Sequence, residues 1–203
     1  MDEQLSICIP TYNRPSLIKR ALDGALNQVD FKGEIVVCDN SENSETENVI
    51  ASYSSTRIRY LRHGKNIGIA GNWNALLHMA KGKYVKFLND DDEFLPECIS
   101  TIKKALKALG KEVGVITCCA EYVDDFGNII KRDRPKNAWG KVNYFVPPKY
   151  ISLLWCYDAI PLRTPTHMVY NREAALSLGG FREDLDYTRD VQLALEIASE
   201  YGA

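Results

Sequence analysis

The chain lacks the marks of several function classes. Its six cysteines include no C-x-x-C pair, which removes the usual ligand spacing of a zinc site. It has no basic block and no basic excess. Its 25 lysines and arginines stand against 27 aspartates and glutamates, so no nucleic-acid surface is expected. No apolar run approaches the ~20 residues of a membrane span. The N-terminal MDEQ has neither the positive charge nor the apolar core of a signal peptide. No repeat or low-complexity segment interrupts the 203 residues. These absences point to a reduced, cytoplasmic protein. Peripheral attachment at the inner face of a membrane stays open, since it needs no span. What is present is ordinary in bulk: 45% hydrophobic residues can build one sizeable core. Cys8, Cys38, Cys118 and Cys119 lie in apolar runs and are expected to be small buried hydrophobes.

Along the chain, apolar strand patterns alternate with helical ones. Strands are expected at 5–9, 34–38, 58–61, 84–88 and 113–119. Helices are expected at 15–27, near 45–53, at 70–80 and at 96–109. Pro15 suits a first helical turn, and Gly82 and Gly110 read as helix stops. This alternation implies an α/β domain with a mostly parallel central sheet and helices on both faces. The pattern then changes. Residues 121–131 resemble a small hairpin, and 132–148 a long polar loop. A helix at 149–157, a strand at 167–170 and helices at 172–178 and 188–201 complete the reading.

Chemistry gathers where the strands end. Tyr84–Leu88 runs straight into Asn89, Asp90, Asp91 and Asp92. Adjacent carboxylates repel, so a buried strand end that collects three of them calls for a cation. A divalent metal carrying a phosphate-bearing ligand would supply it, at the carboxyl edge where open α/β sheets bind ligands. The alternative is an acidic turn ahead of a helix. After the first strand comes Pro10-Thr11-Tyr12-Asn13-Arg14-Pro15, with donors, acceptors and a ring face for a base, or simply a polar turn. Asp39 ends the second strand and can accept an imide N–H, contact a ribose, or form an Asx turn. The stretch from Gly64 to Asn74, with Lys65, Asn66, Gly68, Asn72 and Asn74, can approach an anion at a helix start. It is not a phosphate-binding P-loop, because its lysine precedes the glycines. Asp190 opens the last helix behind Gly179-Gly180-Phe181-Arg182-Glu183-Asp184 and can serve as a general base or as a helix cap. His167 is either a pocket residue or a structural one.

In this order, LSICIPTYNRP, VVCDNS, NIGIAGNWNALLHMAKGKYVKFLNDDDEFLP, GGFRED and RDVQLALEIA resemble the family 2 glycosyltransferases, which have the Rossmann-like GT-A fold. The resemblance spans nearly the whole chain. Its Asp-Asp-Asp form is similar to that of bacterial transferases building surface polysaccharide. The resemblance implies one catalytic domain over 1–203, with a nucleotide-sugar half at 1–119 and an acceptor and base half at 120–203, in a short or C-terminally truncated member. It implies that Thr11, Tyr12, Asn13, Arg14 and Asp39 hold the nucleotide, and that Asn66, Gly68, Asn72 and Asn74 border nucleotide and sugar. Asn89, Asp90 and Asp91 fall at the D-x-D position. Asp90 would contact ribose or phosphate, and Asp91, supported by Asp92, would bind Mn²⁺ or Mg²⁺. Asp190 would be the catalytic base.

Two departures stand out. Asn89 replaces the usual leading aspartate. Arg189 replaces the acid that commonly precedes the base, where it can depress the pKa of Asp190 or contact donor or acceptor. Trp139 can pack on a sugar face. The implied reaction is inverting transfer from a nucleoside-diphosphate sugar, UDP- or dTDP-linked, to a hydroxyl of a saccharide or lipid-linked acceptor. The alternatives are a sugar nucleotidyltransferase, disfavoured by PTYNRP where a glycine-rich basic loop belongs, and a non-catalytic nucleotide-sugar or carbohydrate binder. The oligomeric state is not legible.

Overall fold

The continuous apolar runs become the central strands. In a computed structural model that describes residues 4–110, 112–124, 126–132, 145–157, 159–160 and 162–203, β1 (Leu5–Thr11), β2 (Ile35–Asp39) and β4 (Tyr84–Phe87) are buried along nearly their whole length. Strands covered on both faces are mostly apolar along their length. The edge strand β3 (Ile58–Arg62) is only partly covered. With β5 (Val115–Thr117) and β8 (Met168–Asn171) they form one six-stranded sheet in the order β3-β2-β1-β4-β8-β5. The first four are mutually parallel, and β8 runs antiparallel to both of its neighbours. A separate hairpin pairs β6 (Glu121–Val123) with β7 (Ile129–Arg132).

Successive residues of a strand face opposite ways, so each strand feeds two cores. Cys8, Val36, Val85 and Phe87 pack beneath α3 (Gly68–Met79), α6 (Arg172–Ser177) and α7 (Arg189–Tyr201), through Leu76, Ala174 and Leu193. Ile7, Ile9, Ile35 and Val37 pack beneath α1 (Pro15–Leu26) and α4 (Cys98–Leu109), through Ile18, Leu22 and Ile102. Each fully buried Leu or Ile contributes about 2 kcal/mol through removal from water. Two short helices, α2 (Glu45–Ala51) and α5 (Ile151–Cys156), complete the set among the described residues.

Pro15 opens α1, and Gly110 closes α4 with a left-handed φ of 61°. Other expectations shift. The helix α3 stops at Met79 on an extended Ala80, so Gly82 is not its cap. Gly82 is instead where the chain passes close to β1: a Cβ there would lie 2.6 Å from the Ser6 amide nitrogen. The strand expected over 113–119 is only Val115–Thr117. Past its end Cys118 is half-buried and Cys119 exposed, so neither is the buried residue that the apolar run implied. Most of the polar loop, residues 133–144 with Trp139, lies outside the described residues.

Candidate active site at the carboxyl edge of the sheet

Parallel pairing delivers three loop starts to one edge. Thr11 sits opposite Asp39, and Cys8 opposite Phe87, so the β1, β2 and β4 termini emerge side by side. The Thr11 hydroxyl donates to Asp90 Oδ2 at 2.7 Å, across 79 positions of sequence. Arg14 Nη1 donates to Asp90 Oδ1 at 3.1 Å and to Asp91 Oδ2 at 2.9 Å. Arg20 Nη2 donates to the Asp91 carbonyl at 2.9 Å. The first two acids of the run therefore stand in a cationic bracket supplied by α1 and the turn before it. Asn13 makes that turn with a left-handed φ of 53°, a conformation asparagine tolerates better than most residues, and its amide donates to Ser41 Oγ at 2.8 Å.

The three acids occupy different environments. Asp90 is buried, and burial raises its carboxyl from the ordinary value, although Thr11 and then Arg14 pull it back. Half of the Asp91 side chain faces solvent. Asp92 Oδ2 accepts from Asn89 Nδ2 at 3.3 Å, while the Asp92 amide returns to the Asn89 carbonyl at 3.1 Å. The position where the resemblance implies an acid thus holds an amide that donates to the third carboxylate. An aspartate there would face Asp92 with like charge.

The nucleotide-side residues divide into exposed and committed ones. Tyr12 is exposed. Asp39 is fully buried; its Oδ1 accepts from the Ser41 amide at 2.8 Å and its Oδ2 from the Tyr60 hydroxyl at 2.8 Å. Asn66 Oδ1 accepts from the Gly68 amide at 2.9 Å and from Asn40 Nδ2 at 3.2 Å, which ties the start of α3 to the end of β2. Asn72 is buried and donates to the Thr11 and Cys38 carbonyls, so it staples β1 to β2. Asn74 faces elsewhere. Its side chain brackets the Phe181 backbone at 2.8 and 2.9 Å, and Gly180, at φ 74°, leaves room for it: a Cβ there would be 2.4 Å from Asn74 Oδ1.

Asp190 lies in the first turn of α7 and is half-buried. Burial raises its carboxyl, against the Val191 amide, which donates to its Oδ1 at 2.9 Å. Arg189 does lower the Asp190 carboxyl, as expected, but it is the weakest of the lowering influences, and burial carries the net direction upward. The Arg189 guanidinium is itself buried and bonds the Asp186 carbonyl at 3.0 Å. Asp190 reaches the sheet through Tyr170 on β8, whose hydroxyl feels its charge and whose ring packs edge-on to Phe87 of β4, 5.9 Å between centroids. His167 is buried, with Nδ1 2.8 Å from Thr164 Oγ1, among the residues that lead into β8.

Sequence reasoning passed over Lys86. It reads as an ordinary residue of β4, yet its side chain is almost wholly buried, with Nζ donating to the Thr166 carbonyl at 2.5 Å and lying 5.5 Å from the Phe94 ring centre. Thr166 Oγ1 in turn accepts the Asn89 amide at 3.1 Å. This chain of bonds fixes the acidic turn to the segment before β8. The one available signal was a lone cation amid an apolar run. Lys86→Ala is expected to destabilise the domain by about 3 kcal/mol in urea denaturation, through a cavity and an unsatisfied carbonyl. Lys86→Met restores the volume and is expected to cost only about 1 kcal/mol. Equal losses for both would show that the stem contributes nothing by packing.

Comparison with known proteins accords with this geometry. A profile described as "Glycosyl transferase family 2" matches residues 6–179. The GalNAc(5)-diNAcBac-PP-undecaprenol beta-1,3-glucosyltransferase of Campylobacter jejuni is 39% identical over 103 residues, 49% of this chain and 33% of that protein. S. aureus TarS (residues 1–349) superposes with a TM-score of 0.73 at 19% identity, over 96% of this chain and 55% of that one. The mannosyltransferase PcManGT of Pyrobaculum calidifontis, solved with GDP-Man and Mn²⁺, superposes with a TM-score of 0.70 at 24% identity, over 98% and 53%. At these identities the two structures establish the GT-A fold alone. The chain spans 31% to 61% of the length of several sequence relatives that it matches. With the profile covering most of its length, and strand ends that bring Thr11, Asp39 and the acidic run to one edge, the chain belongs to glycosyl transferase family 2.

Proposed function

We propose that this chain is a catalytic domain that moves a sugar from a nucleoside-diphosphate sugar to a hydroxyl of a saccharide or lipid-linked acceptor, with inversion, in bacterial envelope glycan synthesis. The observation that carries the proposal is the convergence of Thr11, Arg14, Asp90 and Asp91 at the carboxyl edge of the parallel strands. UDP- or dTDP-sugars are the favoured donors. TarS has been solved with UDP and with UDP-GlcNAc, and the Campylobacter relative is named for an undecaprenol-linked substrate. A lipid-linked acceptor would bring the domain to the inner face of a membrane. No helix among the described residues is long and apolar enough to cross one.

The donor set fits a hard divalent cation that arrives with a diphosphate. Among the described residues no group of three His, Cys, Asp or Glu side chains is arranged to hold a metal unaided. Mg²⁺ bound with phosphate needs only one or two carboxylates, the rest of its sphere being phosphate oxygen and water. Asp91, half exposed, is the first ligand, and Asp92 the second candidate. When bound, Mn²⁺ or Mg²⁺ would offset charge on the departing diphosphate.

The protein groups would do the rest. Tyr12 would offer its ring to the base, and Asp39 its buried carboxylate to the base or the ribose. Asp190 would take the proton of the acceptor hydroxyl; that oxygen attacks the anomeric carbon as the bond to the diphosphate oxygen breaks on the opposite side. The first 119 residues would hold the donor, and the remainder the acceptor and the base. At ligand concentrations near 100 times Kd, UDP-sugars with Mn²⁺ are expected to raise Tm by about 5 °C, since a ligand that binds only the folded state stabilises it. Radiolabelled donor with acceptor then separates transfer from pyrophosphate release and from binding alone. No shift with any nucleotide sugar would reject the reading.

A further inference from the structure

The acidic pair already has a cation. Arg14 Nη1 lies within 3.1 Å of Asp90 Oδ1 and 2.9 Å of Asp91 Oδ2, so one nitrogen bridges both carboxylates. The two bonds differ in setting. The Asp90 side chain is 6% exposed and also holds the Thr11 hydroxyl, whereas the Asp91 side chain is 50% exposed and takes its side-chain bond from Arg14. The inner bond is therefore the retained one, and the outer bond, exposed to water, is weak and exchangeable. Arg14 is placed for this by local structure. It follows the left-handed Asn13 and precedes Pro15, the first residue of α1, so its backbone is fixed while half of its long side chain stays in solvent.

We propose that Arg14 is the resident counter-cation of the Asp90–Asp91 pair and competes with the divalent cation for Asp91. In the metal-free protein the guanidinium offsets one of the two negative charges and bridges both acids. When a divalent cation binds Asp91, Arg14 gives up that carboxylate, keeps Asp90, and is freed toward the diphosphate that accompanies the metal. The consequence is weak affinity for metal alone, because a cation must be exchanged, and better affinity once a diphosphate gives the guanidinium a new anion. The inference rests on the proposed role of Asp91 as metal ligand.

The test is titration of the purified chain with Mn²⁺ alone, followed by electron paramagnetic resonance, without nucleotide. Arg14→Gln is expected to bind Mn²⁺ about two- to fivefold more tightly than the parent, a change of the size expected from losing a half-exposed ion pair. Where the parent binds too weakly to titrate, a bound Mn²⁺ signal appearing in Arg14→Gln is the same result. Arg14→Lys, which keeps the charge, is expected to stay near the parent. Arg20→Gln also removes one positive charge, from a side chain that bonds the Asp91 carbonyl and not its carboxylate, and is expected to change affinity much less. Unchanged or weaker binding in Arg14→Gln overturns the proposal, as does an equal gain in Arg20→Gln, which would reduce the effect to net charge. Asp91→Asn keeps the two readings apart. If it abolishes Mn²⁺ binding while Arg14→Gln changes nothing, only the competition fails. If it leaves Mn²⁺ binding intact, the ligand assignment fails first.

Discussion

Asp91→Ala is expected to lower kcat/KM for sugar transfer by at least about 10³-fold while leaving the thermal midpoint within about 2 °C of the parent. The two halves of that result have separate physical origins. The side chain is half exposed, and its partner Arg14 keeps its bond to Asp90, so little native packing is lost. What disappears is the one solvent-facing carboxylate among the first two acids, and with it the anchor for a cation offsetting charge on the leaving diphosphate. Removing a single preorganised group that acts on developing charge commonly costs two to three orders of magnitude, and loss of the metal would add to that. Transfer rates in Mn²⁺ and melting curves decide the matter. Turnover unchanged in Asp91→Ala would sink the site assignment. A collapse in Tm would mean that the residue is structural.

The fold was legible wherever one short run of sequence determined an element. β1, β2 and β4 are predominantly apolar runs because both sheet faces are covered, and Pro15 and Gly110 punctuate their helices by backbone chemistry alone. Legibility failed where the decisive neighbour is distant in sequence. Nothing in MVYN shows that it will run antiparallel between β4 and β5. Gly82 looks like a helix stop, yet the constraint on it comes from Ser6, 76 positions away. The site divides in the same way. The acidic run announced itself by its own improbability. Its stabilising bonds did not: Thr11, at the end of the neighbouring strand β1, and Arg14, in the turn after it, reach the run from more than 70 positions away, and Lys86 acts through Thr166. Asn72 and Asn74 show the limit of motif reasoning. Two positions apart on α3, one ties β1 to β2 while the other holds the Phe181 turn.

Asp190→Asn is the sharper test of mechanism, because it should separate chemistry from binding. Asparagine keeps an oxygen where Asp190 Oδ1 accepts the Val191 amide, so the first turn of α7 is preserved, and the Arg189 bond to the Asp186 carbonyl does not involve it. Burial raises the Asp190 carboxyl, so the folded state favours its protonated form. Such a group stabilises the fold below its raised pKa, and that stabilisation is lost as pH rises through it. Neutral asparagine escapes the loss, so Tm at pH 7 should hold or rise slightly. Donor binding should also hold, with the same nucleotide-sugar thermal shift as the parent. Transfer should fall by about 10³-fold, the usual contribution of a positioned base. The pH profile carries the signature that a merely structural role would not give. A base acts deprotonated, so the parent kcat/KM should decline as pH falls, with the acid limb displaced upward from the ordinary aspartate position by burial. In Asp190→Asn that limb should be missing from whatever rate remains. A retained limb would assign the base to another residue. Loss of nucleotide binding would place Asp190 in the donor site instead.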